Sequence, residues 1–193
     1  MKIGIFGGSF NPIHLGHFEI VRQVLEAQIV DQVVIVPTMQ NPLKDQQPEL
    51  SQELRLSLIE ATFAELEAVR ISLIEWERGG LSYSCDTLEY FKDLYPQDEL
   101  FLLMGADSYQ YFSQWKNKNR ILELASLLIF PRKGLHSLKP IPTNRSRIKW
   151  LDVGIPEVSA TEIRNQQENW KETLALLHPA AAKLWKQHFT PQE

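Results

Sequence analysis

Short segments in which almost every residue is apolar alternate, from one end of the chain to the other, with segments whose apolar residues recur every three or four positions. The first kind reads as strands buried on both faces, the second as amphipathic helices. A strand apolar on both faces must be covered on both sides, and helix-length connections return the chain to start a parallel neighbour. The pattern therefore predicts an α/β, Rossmann-like doubly wound parallel sheet with helices on both faces.

In detail, Lys2-Ile3-Gly4-Ile5-Phe6 reads as a buried strand that breaks into a turn at Gly7-Gly8. A helix follows Pro12 to about Ala27, and a second strand spans Gln32–Pro37, which makes one right-handed crossover unit. Further helices are expected over about 50–66, 84–94 (with Ser82 or Ser84 as N-cap), 118–125, and from about 160 and 179 onward. Further strands are expected near 69–74, 100–104, 127–130 and 148–153. Residues 132–147, rich in Lys, Arg and Pro and without periodicity, read as a mobile surface loop.

A length of 193 residues suits one domain, 1–193, with no internal repeat or linker. Lys and Arg number 20 against 24 Asp and Glu, a balance unsuited to generic nucleic-acid binding and suited at most to a focused anion pocket. No apolar stretch reaches the ~18 residues of a membrane span, and the apolar run at the N-terminus is too short for a signal peptide. The lone Cys85 cannot form an intrachain bridge, so a reducing, cytoplasmic setting is expected.

Ligands of doubly wound sheets bind beyond the carboxyl ends of the strands, which directs attention to residues 7–17, 37–45, 75–84, 105–116, 131–134 and 154–164. In Gly7-Gly8-Ser9-Phe10-Asn11-Pro12-Ile13-His14-Leu15-Gly16-His17, the adjacent glycines let backbone amides approach a ligand. Two histidines three apart where a helix begins share a face near its positive end, suited to holding phosphate oxygens. A glycine turn with two surface histidines is the plain alternative. A zinc site would need further close ligands, and no nearby Cys or acidic cluster supplies them. The glycine spacing is neither a dinucleotide fingerprint nor a P-loop. Near the other end, Ser159-Ala160-Thr161-Glu162-Ile163-Arg164 pairs Ser159 with Glu162 as a capping box. The same cap could form a phosphate cradle from the hydroxyls, free amides and Arg164.

Together the two segments resemble the nucleotidyltransferase superfamily with (T/H)xGH and SxTxxR-type motifs, and within it the bacterial nicotinate mononucleotide adenylyltransferases. The resemblance also covers Asn41-Pro42-Leu43-Lys44, the run from Ser82 to Leu88, Phe101–Asp107, Trp115, Leu124-Ala125 and Arg132. It implies direct in-line attack of a mononucleotide 5′-phosphate on the α-phosphorus of ATP, with release of pyrophosphate and no covalent enzyme intermediate. It implies that His14 and His17 hold the ATP phosphates, with His17 preferred at the α-phosphate. Ser159, Thr161 and Arg164 would then hold the β- and γ-phosphates. Gly7, Gly8, Ser9 and Phe10 would contact nucleotide, and Gly105 and Asp107 the adenosine ribose, although Asp107 could simply cap a helix. For the acceptor it implies Lys44 on a phosphate, Tyr83 and Trp115 against the pyridine ring, amides at Ser84 and Lys116 toward a carboxylate, and Arg132 nearby. Magnesium would ride on the ATP phosphates without a dedicated protein ligand. The expected partners are ATP and nicotinate mononucleotide, with no nucleic acid and no membrane, and self-association into a homo-oligomer is left open. Ser84 and Lys116 stand where relatives often carry threonine and an aromatic, which leaves nicotinamide mononucleotide as an alternative acceptor. Phosphopantetheine on the same fold, or a silent nucleotide-binding module, are more distant rivals. Asn11 stands where many relatives have Asp and is expected to bond the local turn.

Overall fold

The computed structural model describes residues 1–43, 47–131, 147–151, 154–165 and 170–189. Six strands form one wholly parallel sheet: β1 (Lys2–Gly8), β2 (Gln32–Pro37), β3 (Val69–Ile71), β4 (Glu99–Gly105), β5 (Ala125–Phe130) and β6 (Ile148–Trp150). Their spatial order is β3-β2-β1-β4-β5-β6, the doubly wound order expected from the alternating pattern, with its reversal between β1 and β4.

The two-faced apolar strands explain the layers. In β2, Val33 and Ile35 belong to one core while Val34 and Val36 belong to the other. Phe101 and Leu103 alternate with Leu102 and Met104 along β4 in the same way, and Leu128 and Phe130 with Leu127 and Ile129 along β5. The first face is covered by α1 (Leu15–Glu26), α2 (Gln52–Phe63) and α9 (Pro179–Phe189), through Val21, Val24, Leu58, Ile59 and Trp185. The second is covered by α4 (Ser84–Leu94) and α6 (Lys118–Leu124), through Leu88, Phe91 and Ile121. Each of these fully buried aliphatic side chains contributes about 1.5–3 kcal/mol. Gly4 fits tightly at the centre: a Cβ there would lie 2.9 Å from Leu103 Cδ1, so that side chain would have to shift. Among the described residues, no helix is long and apolar enough to cross a membrane.

Several boundaries differ from the sequence expectation. β1 does not break at Gly7-Gly8, since both pair with β2, at Val36 and Pro37, through backbone groups that need no side chain. The strand expected over 69–74 stops at Ile71, and Ser72 N–H makes a last bond to Ile35 O. Ile74–Arg78 then forms a short helix, α3, closed by Gly79 at φ 70°. Neither Ser82 nor Ser84 caps α4: the N-cap is Tyr83, Ser84 is the first helical residue, and Ser82 Oγ accepts from Met39 N–H at 2.9 Å. Helix α2 is shorter than expected and is capped by Ser51, whose Oγ accepts from Leu54 N–H. β6 ends at Trp150. Helices α5 (Ala106–Tyr109), α8 (Trp170–Ala175) and the 3₁₀ turn Phe112–Gln114 were not expected, being too short to show a period. α7 spans Ala160–Asn165. Apart from Arg147, the segment read as a surface loop at 132–147 lies outside the described residues.

Candidate functional site

A cleft of about 1030 Å³ opens at the carboxyl ends of the strands, where strand order reverses. The ends of β1, β2, β4 and β5, the start of α4 and the segment entering α7 line it. It has three parts.

The first is the turn between β1 and α1. Phe10 adopts φ 42°, a strained conformation for a bulky residue. Its buried ring lies edge-on to Phe6 at 5.7 Å and to His17 at 5.1 Å. A Cβ at Gly8 would meet that ring at 2.9 Å, so Gly8 is what allows Phe10 to tuck beneath it. His14 is the N-cap residue of α1, 2% exposed, and stacks on half-buried His17 with ring centroids 3.7 Å apart. His14 backbone N–H donates to His17 Nδ1 at 3.2 Å. An accepting Nδ1 leaves the proton of the neutral ring on Nε2, so His17 is set as an N–H donor. Gly16 makes room for the pair, because a Cβ there would stand 3.1 Å from the His14 ring.

The second part is the entry to α7. Ser159 Oγ accepts from Glu162 N–H at 3.0 Å, half of the expected capping box. Thr161 is exposed at the cleft. Arg164 donates through Nη1 to Asn11 O at 2.7 Å and through Nε to Glu49 Oε1 at 2.7 Å. One guanidinium thus ties α7 to the β1–α1 turn and to the segment before α2. Asn11 does not bond its local turn: its buried Oδ1 accepts from Leu50 N–H at 3.0 Å, 39 residues along the chain.

The third part is the far end. Gly105 closes β4, and Asp107 Oδ1 accepts from the N–H of Ser108, a local bond consistent with its alternative reading as a helix-start residue. Trp115 is half-buried against Phe112, with ring centroids 5.6 Å apart. Lys116 neither points freely to solvent nor stands as an isolated charge. Its Nζ lies 4.3 Å from the Tyr83 ring centroid and 3.3 Å from Asp86 Oδ2.

Gly7, Gly8, Ser9, Phe10, His14, His17, Tyr83, Ser84, Gly105, Asp107, Trp115, Lys116, Ser159, Thr161 and Arg164 all line this one cleft. Lys44 and Arg132 lie outside the described residues. Sequence reading missed three charged residues at or behind the walls. Glu49 is the partner of Arg164. Glu75 is 3% exposed, and burial pushes its carboxyl above the usual carboxylate range against hydrogen bonds from Thr87 and Ser82. Arg55 is 2% exposed on α2. A signal for Arg55 existed, since 55, 58, 59 and 62 form one helical stripe whose other members are buried. Glu75 carried none of its own, because no helix was expected over 74–78. Cys85 is buried, and its thiol is pushed up by that burial, which makes it an inert packing residue.

The comparisons agree with this arrangement. A sequence model described as cytidylyltransferase-like matches residues 5–166, and the chain belongs to that family. Its relatives include a protein from Cytophaga hutchinsonii described as a "probable nicotinate-nucleotide adenylyltransferase". That protein is 38% identical over 165 residues, covering 86% of this chain and 85% of its own length. A protein of the same description from Flavobacterium psychrophilum is 34% identical over 186 residues, 96% of this chain and 95% of its own. Among solved structures, Plasmodium falciparum nicotinic acid mononucleotide adenylyltransferase complexed with APC superposes with a TM-score of 0.77 at 16% identity. It covers 98% of this chain and 96% of that one, and at such identity the likeness speaks for the fold. The same enzyme complexed with NaAD gives 0.74.

Proposed function

We propose that the chain, acting as one nucleotidyltransferase domain, joins nicotinate mononucleotide and ATP into nicotinate adenine dinucleotide and pyrophosphate, a step of NAD biosynthesis. The observation that carries this is the stacked His14/His17 pair at the N-terminus of α1, facing the same cleft as Ser159, Thr161 and Arg164. Donors gathered from two distant stretches of chain line one cleft of about 1030 Å³. The relatives named above supply the acceptor.

The acceptor's 5′-phosphate is already a nucleophile, so the reaction needs alignment and charge neutralisation rather than a general base. His17, its Nδ1 engaged by the His14 N–H, presents Nε2–H to the α-phosphate. The positive end of the twelve-residue α1 adds to that field. Arg164 and the hydroxyls of Ser159 and Thr161 anchor the β- and γ-phosphates and hold the departing pyrophosphate. Gly105 and Asp107 receive the ribose, and Gly7 to Phe10 form the wall beside the phosphates. Magnesium, carried on the triphosphate, would neutralise phosphate charge. The donor set fits an ion brought by substrate, because Glu49 is engaged by Arg164 and Asp107 by a backbone N–H.

At the acceptor end, Tyr83 and Trp115 provide the ring surface. The eleven-residue α4 starts with no side chain capping it, so its first amides are open to a carboxylate at Ser84. Lys116 is shared with Asp86, which lowers the net charge it offers and keeps nicotinamide mononucleotide as the second reading. Lys44 and Arg132 are assigned to acceptor binding on the family resemblance. Pyrophosphate release is the test, with ATP and Mg²⁺ and each mononucleotide supplied separately. Nicotinate should be favoured by tenfold or more, about 1.4 kcal/mol. Equal turnover would remove the carboxylate assignment, and no turnover with either would overturn the activity.

A further inference from the structure

Behind the phosphate wall of the cleft lies a cation that none of the roles above uses. The Arg55 side chain is 2% exposed, and it reaches from α2 to the points where β1 and β2 end. Its Nη1 donates to Ser9 O at 2.8 Å and to Thr38 O at 3.0 Å. The guanidinium carbon lies 4.9 Å from the centre of the Trp76 ring, whose own N–H also donates to Thr38 O at 3.2 Å. Ser9 and Thr38 both line the cleft, and Arg55 stands directly behind them. Among the described residues, no carboxylate lies within ion-pair distance of Arg55, and its buried Nε has no hydrogen-bond partner.

A buried charge is normally paired, because leaving it unpaired costs more than a single hydrogen bond returns. Guanidinium cannot escape that cost by losing its proton at neutral pH, although burial pulls its acidity in that direction. Two backbone carbonyls and an aromatic face compensate only in part. An anion seated across Ser9 and Thr38 would supply further compensation, because a low local dielectric lets the charge act beyond direct contact.

We propose that Arg55 is a positioning residue for a nucleotide phosphate. It locks the carbonyls of Ser9 and Thr38, so that the Gly8–Phe10 turn keeps its shape. Its charge, which lacks a counter-ion among the described residues, finds that counter-ion in the phosphate seated on the turn. This rests on the nucleotidyl-transfer reading of the cleft, but not on the identity of the acceptor.

The test is equilibrium binding rather than turnover. Pyrophosphate, ATP, nicotinate mononucleotide and adenosine are titrated separately into the wild-type protein, R55K and R55M, each checked for folding by circular dichroism. R55M is expected to weaken pyrophosphate and ATP by tenfold or more and to leave adenosine within about threefold. R55K, which keeps the charge, should stay within threefold for all. A loss confined to nicotinate mononucleotide would instead seat the acceptor's phosphate on the turn, and it supports the same role. Equal weakening of adenosine and pyrophosphate by R55M would reduce Arg55 to a fold residue and overturn the proposal. So would unchanged affinities, or a wild-type protein that binds none of the phosphates. Should R55M fail to fold, R55Q takes its place: a tenfold loss of pyrophosphate with adenosine spared supports the proposal, and unchanged affinities overturn it.

Discussion

The two ends of the cleft are built differently. At the phosphate end, His14 is buried, the two imidazoles stack at 3.7 Å, and a backbone N–H fixes the orientation of His17. Gly16 leaves room for the His14 ring, and Gly8 for the Phe10 ring that packs edge-on against His17. At the acceptor end, Trp115 is half-buried, Lys116 is held by one exposed ion pair, and α4 begins without a side-chain cap. Under the proposed function, the first region is preorganised for charge that develops in the transition state, where misplacement is costly. The second presents flat surface and free amides, which suit a ring held mainly by stacking. Rate should therefore depend on the rigid end, and acceptor choice on the looser one.

The largest effect that follows is on His17. H17A removes a donor to the reacting phosphate and should lower kcat by about 10²–10³-fold. The KM for the mononucleotide should hardly move. The variant should stay folded, since it loses a half-buried ring and one bond from the His14 N–H, worth about 1 kcal/mol. Steady-state kinetics with a thermal melt tests both statements. An H17A protein with wild-type kcat would remove the distinction between the two ends.

An intermediate effect belongs to Trp115. Stacking of a ring on an aromatic side chain is worth ~1–3 kcal/mol. W115A should accordingly raise the mononucleotide KM by roughly tenfold to a hundredfold while ATP KM stays within about twofold. A loss in kcat without a change in either KM would mean that the tryptophan supports the fold, through Phe112, and not the acceptor.

The unequal construction also explains what could be read from the sequence. The sheet was legible because apolar runs such as Val33–Val36 and Leu100–Met104 have to be buried on both faces, and only one class of architecture does that. β1 was misjudged at Gly7-Gly8 because glycine advertises a turn while its backbone pairs as well as any other. The motif residues were legible by type and order. Their partners were not: Asn11 with Leu50, Arg164 with Glu49 and Lys116 with Asp86 join positions 30 to 115 residues apart, and no local pattern encodes them. Arg55 shows the same limit, since a helical stripe reports that a residue is buried but not what it faces.

The smallest effect sharpens the comparison from beneath the acceptor end. Glu75 is buried there, takes a hydrogen bond from Thr87 Oγ1 at 2.5 Å, and lies near Ser82, Arg78 and Asp86. Burial raises its pKa in the folded protein, opposed by Thr87, Ser82 and Arg78 and reinforced by the Asp86 charge. The native state therefore holds a proton at pH values where the unfolded chain has lost it. The unfolded state binds fewer protons, so stability falls as pH climbs from the unfolded value near ~4.3 through the raised folded value. The slope cannot exceed about 1.4 kcal/mol per pH unit for one proton. E75Q removes that titration, so its stability relative to wild type should improve as pH rises above the unfolded value and level off once the raised folded value is passed. Urea unfolding of both proteins across that range measures it. A difference that stays flat would mean that Glu75 is ionised throughout, and that Thr87, Ser82 and Arg78 make the floor of the acceptor end a fully satisfied polar site, as rigid as the histidine pair opposite.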